Sequence, residues 1–294
     1  MKDKSTILKQ MFAGAKQLPT LPVLFNQLNQ MLDNPFTSNK KISELIMKDQ
    51  SLVAKILRLS NSAMYSKRQE ITNLSNAITF LGTKSIRNLI LQISLVRLFE
   101  IKDSDIPEFS INSFWEHSLG AAYFTDVIVK KLNLPFSDNY YIGALLHDIG
   151  KLVVYQFYPV EFKKIVKKIV DENMADYDAE ESVLGVNHTD IGDYMAEIWK
   201  FKKEIAESIR DHHKVLQSMP LHVAVIRISN AFTKAAGLCF PWDKKVFEIA
   251  GDPAWDILAK YKAEPIDVER MTFEITDETG IIQDSVRELL SKKA

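Results

Sequence analysis

The run Ile142-Gly143-Ala144-Leu145-Leu146-His147-Asp148-Ile149-Gly150-Lys151 places a histidine and an aspartate side by side at the end of an apolar segment. His147 follows Gly143 by four residues and Asp148 follows Leu145 by three, so on a helix both turn toward the apolar side. The spacing predicts a helix capped by Asp138 that ends at this doublet, with Gly150 as its terminator. An imidazole and a carboxylate aimed inward from one helix end need partners. The other histidines are the first candidates.

Four more histidines share this placement. His117 lies three residues after Phe114, four before Ala121 and seven before Phe124, on the buried face of a helix that a Ser113–Glu116 capping box would start and that runs to about Leu132. His212 and His213 flank the apolar stripe made by Ile205 and Ile209, and His188 precedes Thr189 and Asp190 at a helix start. His222 alone stands apart. A lone buried imidazole is more often a hydrogen-bonded core residue than a ligand. Imidazole nitrogen joined by a carboxylate suits first-row transition metals better than calcium. Spacing alone leaves core packing and a metal site both open.

Helical spacing also governs the flanks. After the stiff Leu18-Pro19-x-Leu21-Pro22 segment, a helix over Val23 to Leu32 ends near Pro35. Thr37 or Ser38 caps the next, with Ile42, Leu45 and Ile46 on one face, and Asp49 caps another, with Leu52, Val53, Ile56 and Leu57. Ser75 to Leu81 is stopped by Gly82, and Lys84 to Glu100 follows. Beyond the doublet come a basic helix with Lys163, Lys164, Lys167 and Lys168 and an acidic stretch from Asp171 to Glu181, read as a solvated face and a solvated turn. Helices over about Asp190 to Trp199, Lys203 to Lys214 and Pro220 to Ala236 precede a helical tail, in which Asp252-Pro253 starts one helix. No run alternates as a strand would, so the expected fold class is all-α.

Bulk properties narrow the setting. The 294 residues are 46% hydrophobic, enough for a sizeable core, and 37 basic residues against 38 acidic ones create no field for nucleic acid or an anionic membrane. The single cysteine, Cys239, rules out an intrachain disulfide and suits a reducing compartment. The chain opens Met-Lys-Asp-Lys without an apolar signal core, and no apolar run reaches the ~18 residues of a membrane span. A cytoplasmic protein with no membrane partner is expected. Asn73 to Val96 has a helix-turn-helix outline, yet its second helix offers only Lys84, Arg87, Asn88, Gln92 and Arg97 to base edges, so nucleic acid is not the expected partner.

Taken together, His147-Asp148-Ile149-Gly150-Lys151, the upstream His117 in Trp115-Glu116-His117-Ser118, and His188 with Gly192, Trp199 and His212-His213 resemble the HD superfamily of metal-dependent phosphohydrolases. Leu18-Pro19-x-Leu21-Pro22, Asp49, Asn61-Ser62 and Ala77 with Leu81-Gly82 resemble its HDOD branch, and the Gly-Tyr-Pro signature of the HD-GYP branch is absent. The resemblance covers roughly residues 18 to 235. It implies an HD-type helical bundle over 111–235 and an N-terminal helical subdomain over 18–110; the C-terminal helical extension over 236–294 lies outside it. Gln50 stands where HDOD members usually carry proline.

For the site, the resemblance implies one or two divalent ions that activate water against a phosphoester. His117, His147 and Asp148 would hold the first, His188, His212 and His213 the second, with Asp148 between them. Fe or Mn is the expected metal, with Zn, Ni, Co or Mg admissible. Lys151 is read either as a phosphate contact or as a surface residue. Asn230 stands where catalytic members place a last metal-binding aspartate. Two divalent ions carry more charge than Asp148 and one hydroxide offset, so the second ion should be weak unless Asp211, Asp190 or Glu181 supplies the deficit. The expected role is a regulatory module that contacts another protein of a signalling pathway or a phosphorylated small molecule. The alternative is a phosphohydrolase acting on a nucleotide or other phosphoester.

A direct test is Asn230→Asp, which restores a negative charge at nearly constant volume. Metal content per chain, by elemental analysis, should rise above that of the natural protein. Unchanged content would mean that Asn230 does not hold the place of the missing carboxylate.

Overall fold

The computed structural model describes residues 3–14, 21, 23–32, 34, 36–65, 70–99, 106, 109–135, 137–215, 218–242, 249–276 and 278–291. These residues contain helices and no strand. In chain order the helices are α1 (Lys4–Gly14), α2 (Val23–Leu32), α3 (Asn39–Ile46), α4 (Gln50–Ser60), α5 (Leu74–Leu98), α6 (Ile111–Lys131), α7 (Asp138–Leu146) and α8 (Ile149–Phe157). There follow α9 (Pro159–Asp171), α10 (Asp176–Leu184), α11 (His188–Ile198), α12 (Lys203–Asp211), α13 (Leu221–Ala235), α14 (Ala254–Ala259), α15 (Val268–Thr276) and α16 (Thr279–Leu290). None of the helices among the described residues is long and apolar enough to cross a membrane.

The chain forms two compact units, one of Met1–Leu18 with Ile101–Thr279 and the other of Pro19–Glu100 with Gly280–Ala294. Residues 236–294 are therefore divided, with α14 and α15 in the first unit and α16, from Gly280 on, in the second. Leu18, Pro19, Pro22, Pro35 and Glu100, which carry several of the expected boundaries, lie outside the described residues.

In the second unit, short polar side chains start the helices. Ser38 Oγ accepts from Lys41 N at 3.4 Å, Asp49 Oδ1 from Leu52 N at 2.9 Å and Asn73 Oδ1 from Asn76 N at 2.8 Å. Behind these caps, Phe25, Leu28, Ile42, Ile46, Leu52 and Ile56 are buried. The break expected at Gly82 is a kink within α5, where Gly82 takes φ 81° and the helix resumes at once.

The first unit is organised around α6. Its neighbour α13 runs antiparallel to it, with Thr125 Oγ1 donating to Ser229 Oγ at 2.9 Å and Gly120 facing Thr233. Two starts differ from expectation. Ser110, not Ser113, caps α6, and Ser137, not Asp138, caps α7, which leaves the Asp138 carboxylate in the first turn beside the positive helix end. Gly150 terminates nothing; it sits in the first turn of α8. A Cβ there would lie 2.1 Å from the His188 carbonyl oxygen, so glycine is required for α8 to meet the start of α11. That contact brings the His147-Asp148 turn to His188. Helices α1, α8 and α10 were not foreseen from the sequence.

Asp49 combines a cap with an ion pair, since Arg97 Nη1 donates to its Oδ2 at 2.8 Å and Ser51 Oγ to its Oδ1 at 2.6 Å. Partial burial would raise its carboxyl, but Ser51, Arg97 and the Leu52 N–H outweigh it and lower the pKa to about 2. A depressed carboxyl stabilises the fold above its unfolded pKa and loses that effect as pH falls through the folded one. Asp49→Ala should cost roughly 1 kcal/mol at neutral pH. In urea unfolding the gap from the natural protein should narrow between pH 4 and pH 2. A gap independent of pH in that window would contradict the charged cap.

Candidate metal centre

Four local segments of the first unit deliver the site. His117 comes from the middle of α6, and His147 and Asp148 form the turn between α7 and α8. His188 opens α11, and His212 and His213 follow the end of α12. Their donor atoms form two groups, His117, His147 and Asp148 in one and Asp148, His188, His212 and His213 in the other, each with its atoms within 4.8 Å of one another. Asp148 belongs to both. Its Oδ2 lies 3.4 Å from His117 Nε2 and 3.5 Å from His147 Nε2, while its Oδ1 lies 3.3 Å from His188 Nε2 and 3.7 Å from His212 Nε2. All these residues are buried except His213, which is half-buried.

The outward ring nitrogens fix the protons. The Nδ1 of His117 donates to Leu238 O at 2.9 Å, that of His147 to Ala144 O at 2.6 Å and that of His212 to Ile209 O at 2.9 Å. A carbonyl only accepts, so each Nδ1 carries the hydrogen and each Nε2 of the neutral ring presents a lone pair to the centre. His117 Nε2 and His147 Nε2 then face each other at 3.1 Å. Burial, with the neighbouring histidines and against the pull of Asp148, holds His147 well below the usual histidine range, so its Nε2 keeps a lone pair for the centre. Two imidazole nitrogens opposed beside a carboxylate offer a cation three donors. Asp148 Oδ1 and His212 Nε2 are likewise buried without a hydrogen-bond partner. The residues therefore fit a metal, and a divalent ion bound there supplies concentrated positive charge between these donors.

The second group differs in one respect. His188 Nδ1 lies 2.6 Å from Glu180 Oε2, which also accepts from the His188 backbone N at 2.7 Å. Burial would lower His188, but Glu180 raises it above its ordinary value. A proton on His188 Nε2 thus satisfies the 3.1 Å contact with His213 Nε2, so a proton and a cation compete there.

Two carboxylates of this centre escaped the sequence reading. Glu180 is buried and Asp176 half-buried, so the acidic stretch is not the solvated turn expected, although Asp171, Glu172 and Asp178 are exposed. Lys151 is no surface residue either. It is 3% exposed, its Nζ donates to Asp148 Oδ2 at 3.0 Å and Asp176 Oδ2 at 2.7 Å, and it lies 4.8 Å from the centre of the Phe240 ring. The three acids named as replacements for the missing charge are engaged elsewhere. Asp211 pairs with Arg210 and Lys214, Asp190 with Lys4, and Glu181 with Lys4 and Asn187.

Asn230 is 7% exposed, with its Oδ1 unpartnered. On α13 it shares a face with Arg227, whose Nη1 donates to His213 O at 3.0 Å, and with Lys234, whose charge acts on Asp176. That face is the one turned toward the second group. Arg227 is held in turn by Asp252, at 2.9 and 2.8 Å from its Nε. His222 stays outside, 3.2 Å from Glu207.

The HDOD domain model matches residues 18–215, and the chain belongs to the HDOD domain family. It is similar to a protein of Geobacter sulfurreducens described as an HDOD domain protein of unknown function, with 25% identity, a TM-score of 0.85 and 98% of each chain covered. It also shares its fold with a Shewanella amazonensis protein provisionally named a phosphohydrolase, at 20% identity and a TM-score of 0.73, covering 97% of this chain and 98% of that one. A Treponema pallidum protein, named only as uncharacterized, is 24% identical over 200 residues, 67% of this chain and 38% of that relative. The match thus spans well under half of that relative's length.

Replacing His147 removes one of the two opposed nitrogens. Purified His147→Ala protein should carry no tightly held metal by elemental analysis. Full occupancy in that variant would place the ion elsewhere.

Proposed function

We propose that this HDOD chain is a regulatory module of a cytoplasmic signalling pathway whose HD-type centre holds a first-row divalent ion, Fe or Mn, as an internal brace. The observation that carries this reading is the enclosure of Asp148. Histidines lie against both of its oxygens, Lys151 is bonded to Oδ2, and Phe240 stacks over Lys151 and lies 5.4 Å from the His117 ring. A phosphoester has little room to approach such a carboxylate. An ion there would instead tie α6, the α7–α8 turn, α11 and the end of α12 together, so its presence would set the surface that a partner protein meets.

One feature favours the second reading, a phosphohydrolase. His213 and Asp176 are half-buried and leave one edge of the centre toward solvent, where a phosphorylated small molecule could reach the second group.

Purified protein loaded with Mn²⁺ or Fe²⁺ and given a chromogenic phosphodiester distinguishes the two. The regulatory reading expects no turnover above the metal-only control. It also expects a gain in unfolding free energy of roughly 2.7 kcal/mol at a hundredfold excess of ion over its Kd. Turnover that His147→Ala abolishes would replace this reading with the hydrolase.

A further inference from the structure

Helix α1 belongs to the first unit, yet after residue 18 the chain returns to that unit only at Ile101. Contacts, not the adjoining chain, therefore hold α1 in place. Leu8 and Phe12 are buried one turn apart, and the Phe12 ring lies 4.7 Å from that of Tyr194 on α11. Ile7 rests against Gly185, between α10 and α11, where an added Cβ would stand 2.9 Å from its Cδ1. The Tyr158 hydroxyl donates to Met11 O at 2.5 Å. At the other end, Lys4 Nζ lies 2.9 Å from Asp190 Oδ2 and 3.1 Å from Glu181 Oε1. A cation in the first turn opposes the helix dipole, so Lys4 favours this helix only where the two acids receive it. The seat is an apolar floor with an acidic rim. It matches a helix with lysine one turn ahead of two bulky apolar residues. Both rim acids also hold the α10–α11 connection, since Asp190 Oδ2 accepts from Asn187 N at 3.2 Å and Glu181 Oε2 from Asn187 Nδ2 at 3.3 Å. Whatever occupies the seat thus bears on the segment that delivers His188.

We propose that this seat is a helix-docking site, with α1 as its resident occupant and a partner protein's helix of the same lysine and apolar pattern as the competitor. The inference rests on the regulatory reading above for the existence of a partner, but not on the metal. The hold on α1 suits exchange. The Lys4 and Glu181 side chains are 42% and 41% exposed, so salt screens their attraction. Apart from Leu8 and Phe12, the described residues of α1 are half-buried or exposed. A helix this short is marginal in water once released, so an undocked α1 does not persist as a rival surface. A partner helix competes against the effective concentration of the tethered α1, and any loosening of α1 opens the seat. Trading α1 between two copies of the chain would only reproduce the same contacts while losing the freedom of two separate molecules, which favours a different protein as the partner.

The probe is a fluorescent peptide copying residues 3–14, titrated with the full chain and followed by anisotropy. The natural chain, its seat filled, should bind weakly. Phe12→Ala in the chain should loosen α1 and bind the peptide about tenfold or more tightly. Lys4→Glu in the chain sets a like charge against Glu181 and Asp190 and should act in the same direction. Because Lys4 is half-exposed, this second variant keeps its fold even if Phe12→Ala does not, and a single cooperative melt checks both. With an opened chain, peptides carrying Lys4→Glu or Phe12→Ala should bind about tenfold or more weakly than the unaltered peptide. Equal binding by the natural and opened chains puts the peptide elsewhere and overturns the proposal, as does no binding by any of them. A natural chain that is a dimer by light scattering, and that the peptide splits, makes a second copy the occupant and also overturns it. None of these outcomes touches the brace reading, which stands or falls on metal content.

Discussion

Everything in the first unit answers to one buried carboxylate. Burial alone would raise the Asp148 carboxyl, but Lys151 first, then His147 and the other histidines, hold it well below the usual carboxylate range. It is therefore a fixed negative charge in the interior, and such a charge is tolerated only when surrounded by donors or cations. The imidazoles of His117, His147 and His212 do not meet that need, because their outward nitrogens carry the protons. Lys151 meets it in part. The remaining demand is what makes the centre a place for a metal.

The packing of the helices follows from delivering four segments to that carboxylate. Gly150 allows the α8 backbone to press against the His188 carbonyl, and Gly143 lets α7 approach α12, where a Cβ would stand 2.8 Å from Ser208 Cβ. At both places the missing side chain sits within a few residues of a ligand-type group. Close approach and site geometry are one constraint here.

Much of this was legible in the sequence. The helices whose apolar residues recur at three and four, such as α4, α6 and α13, are where the periodicity places them, and the inward-facing histidines do converge. What failed did so for identifiable reasons. Ser110, Ser113, Ser137 and Asp138 are all competent caps, and local chemistry cannot rank them. Glycine both ends helices and permits close contacts, so Gly150 was assigned the wrong one of its two uses. Asp176 and Glu180 were hidden by a charge run that ordinarily marks solvent, although Asp176, Ala179, Glu180 and Val183 repeat at helical spacing and form an inward stripe. In α1, Leu8 and Phe12 are buried one turn apart, a pattern too short to stand out. Asn230 draws notice only through the family resemblance, not by any feature of its own side chain.

The carbonyl that orients His117 belongs to Leu238, and the guanidinium that meets the carbonyl of His213 belongs to Arg227. Both lie past residue 215, where the family match ends. The segment that the family match covers thus contains the six donors, while part of their aim is set by residues beyond it. A change in α13 or in the residues after it would then retune the centre with every histidine left in place. Proteins with identical donor residues need not have the same affinity for metal.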